Sequence, residues 1–132
     1  MRNPKKTSFK TKPQELVKII PLGGLEEIGR NMTLVEYQNQ VLIIDMGLQF
    51  PDENTPGIDF IIPNIEYLKI HPEKKILGIL ITHAHYDHIG AIPYLISQLN
   101  YPTIYATPLA KAIILKRQED FLYLKKLEIE NL

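Results

Sequence analysis

The chain has 132 residues, 45% of them apolar and 23% charged, with 15 basic side chains against 15 acidic and no cysteine. That length and balance describe a single globular domain able to enclose a core. They exclude a disulfide scaffold and thiolate metal ligands, and no apolar run approaches the roughly 18–20 residues of a membrane span. The first residues lack the apolar segment of a secretion signal, so a cytoplasmic location and no membrane partner are expected.

Arg2, Lys5, Lys6, Lys10 and Lys12 all precede the first acid, Glu15. With two prolines and no periodicity, residues 1–14 read as a disordered basic arm, either a solvated tail or a strip that lies along phosphates. Residues 16–20 predict a first strand that stops at Pro21. The following Leu22-Gly23-Gly24-Leu25-Glu26-Glu27-Ile28-Gly29-Arg30-Asn31 has the glycine spacing of a phosphate loop. Arg30-Asn31 replaces the required Lys-Ser or Lys-Thr, and two carboxylates would repel phosphate, so a nucleoside triphosphate site is excluded and the glycines mark tight turns.

Residues 32–37 and 41–45 predict two strands of an antiparallel hairpin, joined by Gln38-Asn39-Gln40. The second ends in Asp45, either a carboxylate placed at a functional sheet end or a turn-initiating aspartate before Met46-Gly47. Residues 47–59, dense in Pro, Gly and acids, form a long loop of the kind that often carries function. A short helix over 64–70 follows, closed by His71-Pro72, with His71 a satisfied core or surface residue rather than a ligand.

Residues 76–81 are a brief, largely β-branched run that reads as a buried strand. It stops at Thr82-His83-Ala84-His85-Tyr86-Asp87-His88, where three of the four histidines stand together. On an extended chain His83 and His85 point to the same side and can grip one ion; Asp87 and His88 need a backbone turn to serve another. Burying such a group without a partner would be costly, and a metal is a partner for all four. Imidazole with carboxylate suits zinc, and manganese or iron less exclusively. An amphipathic helix over 90–99 is expected next, with Pro93 in its first turn, then a strand at 103–106. Thr107-Pro108 should open a last helix running to about Lys126, with 116–120 a solvated face; residues 122–130 read equally as helix or strand.

The His-x-His-x-Asp-His string after an apolar strand resembles the signature of the metallo-β-lactamase superfamily. The resemblance implies an α/β fold, here the N-terminal half of an αββα sandwich, with His83 and His85 on one metal and Asp87 and His88 on a second. The strings 22–32, Asp45-Met46-Gly47-Leu48-Gln49-Phe50-Pro51, Pro56-Gly57-Ile58-Asp59-Phe60-Ile61-Ile62-Pro63 and Lys116-Arg117-Gln118 are similar to the ribonuclease J family of the β-CASP RNA-processing group, from about residue 16 to 121. That likeness implies a two-Zn2+ ribonuclease, endonucleolytic and 5′-to-3′ exonucleolytic, acting on RNA as a homo-oligomer, with Asp45 in a catalytic role orienting a ligand or the hydroxide.

Ala84 and Tyr86 stand where family members often carry Gly and Glu, and Asn64 where Asp is common. The family also carries a later histidine, a bridging aspartate and a β-CASP domain, none of which lies in these residues. Residues 15–132 are therefore expected to be the first part of the catalytic domain, inactive alone. The competing expectations are a small-molecule hydrolase of the same superfamily and a non-enzymatic metal-binding fragment.

Overall fold

Side chains that alternate between buried and open build a six-stranded mixed sheet, in which spatial order follows chain order from first strand to last. The structure is a computed structural model and describes residues 16–132; the arm expected at 1–14 lies outside the described residues. The strands are β1 (Val17–Gly23), β2 (Met32–Tyr37), β3 (Gln40–Ile44), β4 (Lys75–Leu80), β5 (Ile104–Ala106) and β6 (Ile129–Asn131). β1, β2 and β3 run antiparallel, whereas β3 through β6 are mutually parallel.

The β2–β3 hairpin holds Leu34 opposite Ile43 and turns through Gln38-Asn39, with Gln38 at φ 54°. Parallel pairing needs crossovers, and these carry the helices α1 (Glu66–Lys69), α2 (Tyr86–Ile89), α3 (Ile92–Leu95) and α4 (Pro108–Gln118). Met32, Leu34, Val41, Ile43, Ile79 and Ile104 form one core with Ile92, Leu95, Ile96, Ala110 and Ile114. The fold is thus two layers, a sheet with helical segments on one face. The opposite face carries Val35, Leu42, Ile44 and Leu80 half-buried, and Ile19 72% exposed. Among the described residues no helix is long and apolar enough to cross a membrane.

Several expectations are corrected. β1 does not stop at Pro21 but runs through it, because β1 is an edge strand and the missing N–H takes no bond from the ladder there. The expected helix over 90–99 starts earlier, at Tyr86, and is broken into α2, α3 and a 3₁₀ turn at Ile96–Leu99. Pro93 has no N–H to offer the preceding turn, and the Ala91 N–H is taken instead by the Met46 carbonyl at 2.9 Å. Thr107 caps α4 as expected, accepting from the Ala110 N–H at 3.3 Å. That helix ends at Gln118 rather than near Lys126: Glu119 and Asp120 follow it, and acids are unfavourable at a helix C-terminus. Residues 122–130, left open between helix and strand, contain the start of β6, with Leu127 and Ile129 buried.

At the start of β3, the end of the sheet remote from Asp45, the core face of β2 carries Glu36, only 2% exposed. It accepts hydrogen bonds from Lys74 Nζ at 2.7 Å, Tyr67 Oη at 2.7 Å and Lys18 Nζ at 3.0 Å. The Lys74 bond, then that of Tyr67, outweighs burial and lowers the Glu36 carboxyl from 4.5 to about 2. A depressed carboxyl stabilises the fold above its unfolded pKa, and that contribution is lost as pH falls towards about 2. Glu36→Gln is expected to cost about 3 kcal/mol in denaturant unfolding at pH 7. The difference from the unsubstituted protein should shrink as the pH is lowered from 4.5 towards 2.

Candidate metal centre

The neighbouring parallel strands β3 and β4 end side by side, and both feed the same point. The Asp45 N–H extends the ladder to the Leu80 carbonyl at 2.9 Å, and the chain then turns with Asp45 itself at φ 60°. From there the main chain locks onto the start of α2: Met46 N donates to the His88 carbonyl at 2.8 Å and Leu48 N to that of Tyr86 at 3.2 Å. Between them Gly47 passes so close to the Asp87 carbonyl that an added Cβ would lie 1.5 Å from its oxygen. No other residue fits there.

Asp45 is 5% exposed and its carboxylate is fully engaged. Oδ1 accepts from the Thr82 N–H at 2.8 Å, Oδ2 lies 2.8 Å from Thr82 Oγ1, and His88 Nδ1 donates to Oδ2 at 2.7 Å. That last bond selects the tautomer. With Nδ1–H committed to a carboxylate, Nε2 carries the lone pair that a metal would use. Asn31 Nδ2 faces this nitrogen at 3.3 Å, and also donates to the Asp87 carbonyl at 3.0 Å and to Asp87 Oδ2 at 3.1 Å. The expected turn at Asp87 and His88 is supplied by α2, for which His85 is the extended N-cap residue at ψ 151°.

The structure therefore brings His83, His85, Asp87, His88 and Asp45 to one end of the sheet. The His83 ring lies 4.6 Å from that of His85 and 4.0 Å from that of His88, centroid to centroid. His71 is not among them; it sits beyond α1, beside Glu73. Among the described residues no three His, Cys, Asp or Glu side chains converge as ligands of one ion. The rings pack on one another, and His83 Nδ1 lies 3.0 Å from Thr82 Oγ1. The donors nevertheless fit a divalent transition ion in kind: crowded imidazoles, an adjoining carboxylate, and one ring whose tautomer is set by a buried acid.

Thr82 and Asn31 do work that sequence reasoning did not assign. Thr82 could have been suspected as the one hydroxyl between the strand and the first histidine; Asn31 had no signal beyond its place in a glycine-rich string. That string does mark tight turns, with Gly24 at φ 85° and Gly29 at φ 111°. Arg30 pairs with Glu27, which also accepts from the Gly24 N–H at 2.9 Å, and together they hold the Glu27 carboxyl below the usual carboxylate range.

Residues 25–128 match the family model for the metallo-beta-lactamase superfamily. The chain is 52% identical over 99 residues to ribonuclease J of Helicobacter pylori strain 26695, covering 74% of this chain and 14% of that protein. It is 46% identical over 100 residues to ribonuclease J of Mycoplasma pneumoniae, covering 76% of this chain and 17% of that one. It is 43% identical over 114 residues to ribonuclease J 1 of Streptococcus pyogenes, covering 86% and 20%. The chain thus spans at most about a fifth of these relatives. Human tRNase Z, short form, shares the fold at a TM-score of 0.54 and 17% identity, over 86% of this chain and 42% of that chain.

Two substitutions test the centre. Asp45→Ala removes the acceptor of His88 Nδ1–H, and zinc affinity by calorimetry is expected to fall about 10- to 100-fold. Gly47→Ala forces a methyl group into the Asp87 carbonyl, and its unfolding free energy should drop by about 3–5 kcal/mol in denaturant titration.

Proposed function

The chain belongs to the metallo-beta-lactamase superfamily, and on that premise we propose that it supplies part of the active site of a metal-dependent ribonuclease. Superfamily membership implies use of divalent metal. The observation that carries the reading is the identity of 43–52% to ribonuclease J proteins over most of this chain, across residues that include the histidine cluster. The reading extends to RNA processing and decay in the cytoplasm, by internal cleavage and by 5′-to-3′ degradation, in a homo-oligomer.

In this reading His83 and His85 hold one Zn2+, and Asp87 and His88 a second. Bound there, zinc supplies a water acidic enough to act as a nucleophile near neutral pH and offsets charge growing on the phosphate. The remaining work belongs to the chain. Asp45 holds the His88 ring through Nδ1, which leaves the lone pair on Nε2, the ring nitrogen turned towards Asn31 and the Asp87 carboxylate. Thr82 fixes Asp45 from the end of β4, which makes Asp45 a positioning residue set behind the ligands rather than one exposed to substrate. Asn31 steadies the Asp87 carboxylate. Three imidazoles and Asp87 are the donors this sequence gathers for two ions, so zinc binding by these residues is expected to be weak and turnover small.

Two measurements test this. In calorimetry, zinc should bind the 132-residue chain and lose that binding in the His83→Ala, His85→Ala double variant. In anisotropy, zinc should raise affinity for 5′-monophosphorylated single-stranded RNA about tenfold or more, reversibly on adding chelator. Zinc binding without any effect on RNA would count against a ribonuclease. Fast, chelator-sensitive cleavage by these residues alone would overturn the view that their ligand set is partial.

A further inference from the structure

Beside the ligands, two large aromatic side chains stand open to solvent. Phe50 is 65% exposed and Tyr86 40% exposed. Their rings lie 6.3 Å apart between centroids and within 20° of parallel. Both line a cleft of about 780 Å³ that also contains Asp87. Two adjoining open rings of this kind offer flat apolar faces on which another planar group can rest.

Tyr86 is also held in place. From α4, the Arg117 guanidinium lies 4.4 Å over the Tyr86 ring, and its Nη1 donates to Tyr86 Oη at 2.5 Å. Arg117 is steadied in turn by Phe121, whose ring centroid is 5.6 Å away. The expectation that 116–120 is simply a solvated face therefore fails at Arg117, which is half-buried against aromatic rings. A planar ring fixed from behind by a cation loses little freedom when something flat settles against it.

The charge around the cleft narrows the class of ligand. Of the acids that line it, Glu27 is paired with Arg30 and Asp87 belongs to the ligand cluster, while Glu26 and Asp52 have no Lys or Arg partner among the described residues, so the wall away from the ligands disfavours a phosphate group. An uncharged, planar, partly apolar group is favoured, and a nucleobase is the part of an RNA strand with that character. We propose that Tyr86, braced by Arg117 and facing Phe50, is a stacking platform for one unpaired nucleobase of the strand being cleaved. The proposal rests on the ribonuclease reading above and adds a base-binding position next to Asp87. Position along the strand follows from adjacency: Asp87 follows Tyr86 directly, so the stacked base belongs to a nucleotide close to the phosphate at the centre.

The test uses the 132-residue chain with Zn2+ at low salt and two 3′-labelled single-stranded decamers, one of adenylates and one with the same backbone lacking bases. Anisotropy should show the adenylate decamer binding about tenfold more tightly than the abasic one. Tyr86→Leu should bring the adenylate affinity down to the abasic level, while Tyr86→Phe, which keeps the ring, should retain most of the preference. Circular dichroism checks that each variant is folded. Arg117→Met, which frees the ring without touching it, is the second probe and should reduce the preference. Equal binding of the two decamers, or a preference that survives both Tyr86→Leu and Arg117→Met, overturns the platform and leaves the ribonuclease reading standing. Failure of the unsubstituted chain to bind either decamer overturns the ribonuclease reading itself, and the platform with it.

Discussion

One buried carboxylate ties the molecule together at its working end. Asp45 directly follows β3, accepts from Thr82 two residues past β4, and accepts from a ring on α2, so a single side chain joins three elements that the sequence keeps far apart. Removing it would leave the Thr82 N–H and the His88 Nδ1–H without their acceptor, and a buried donor left unpaired costs more than the bond it made was worth. The contact thus stabilises the loop geometry and orients His88 at once. Gly47 makes the same demand through sterics rather than charge, because the backbone of this loop must pass within touching distance of the Asp87 carbonyl.

The two ends of the sheet solve the problem of buried charge in different ways. At the end near Glu36 the carboxylate meets two ammonium groups and a phenol, so its charge is answered within the chain and the cluster serves stability. At the Asp45 end the acid meets donors but no cation from the chain, and the nearby donors are imidazoles. A site that gathers acids and lone pairs without a Lys or Arg among its direct partners is organised for a cation from outside.

Much of this was legible in the residues. The hairpin, the strand before the histidines (though not its full burial, since Leu77 is exposed), the Thr107 cap and the grouping of His83, His85, Asp87 and His88 followed from local rules of alternation, turn chemistry and ligand spacing. What failed depended on tertiary contacts. Pro21 stays inside a strand because that strand lies at an edge, which no local pattern announces. The helix after the histidines begins at Tyr86 and breaks before Pro93 because a loop from another part of the chain claims the Ala91 N–H. The roles of Asn31 and Thr82 were hidden for the same reason, since Asn31 and Asp87 are 56 residues apart in sequence. Arg117 read as solvated because its aromatic partners include Tyr86, 31 residues away.

The strand order has a kinetic meaning as well. Each strand pairs with the one made just before it, so the sheet can lengthen strand by strand in chain order. Within that order the hairpin closes through a two-residue turn, whereas β4 must span the long loop and α1 before it docks. Loop closure therefore costs least at the hairpin and most where β4 joins β3, and it is the end of β4 that leads into the histidine segment.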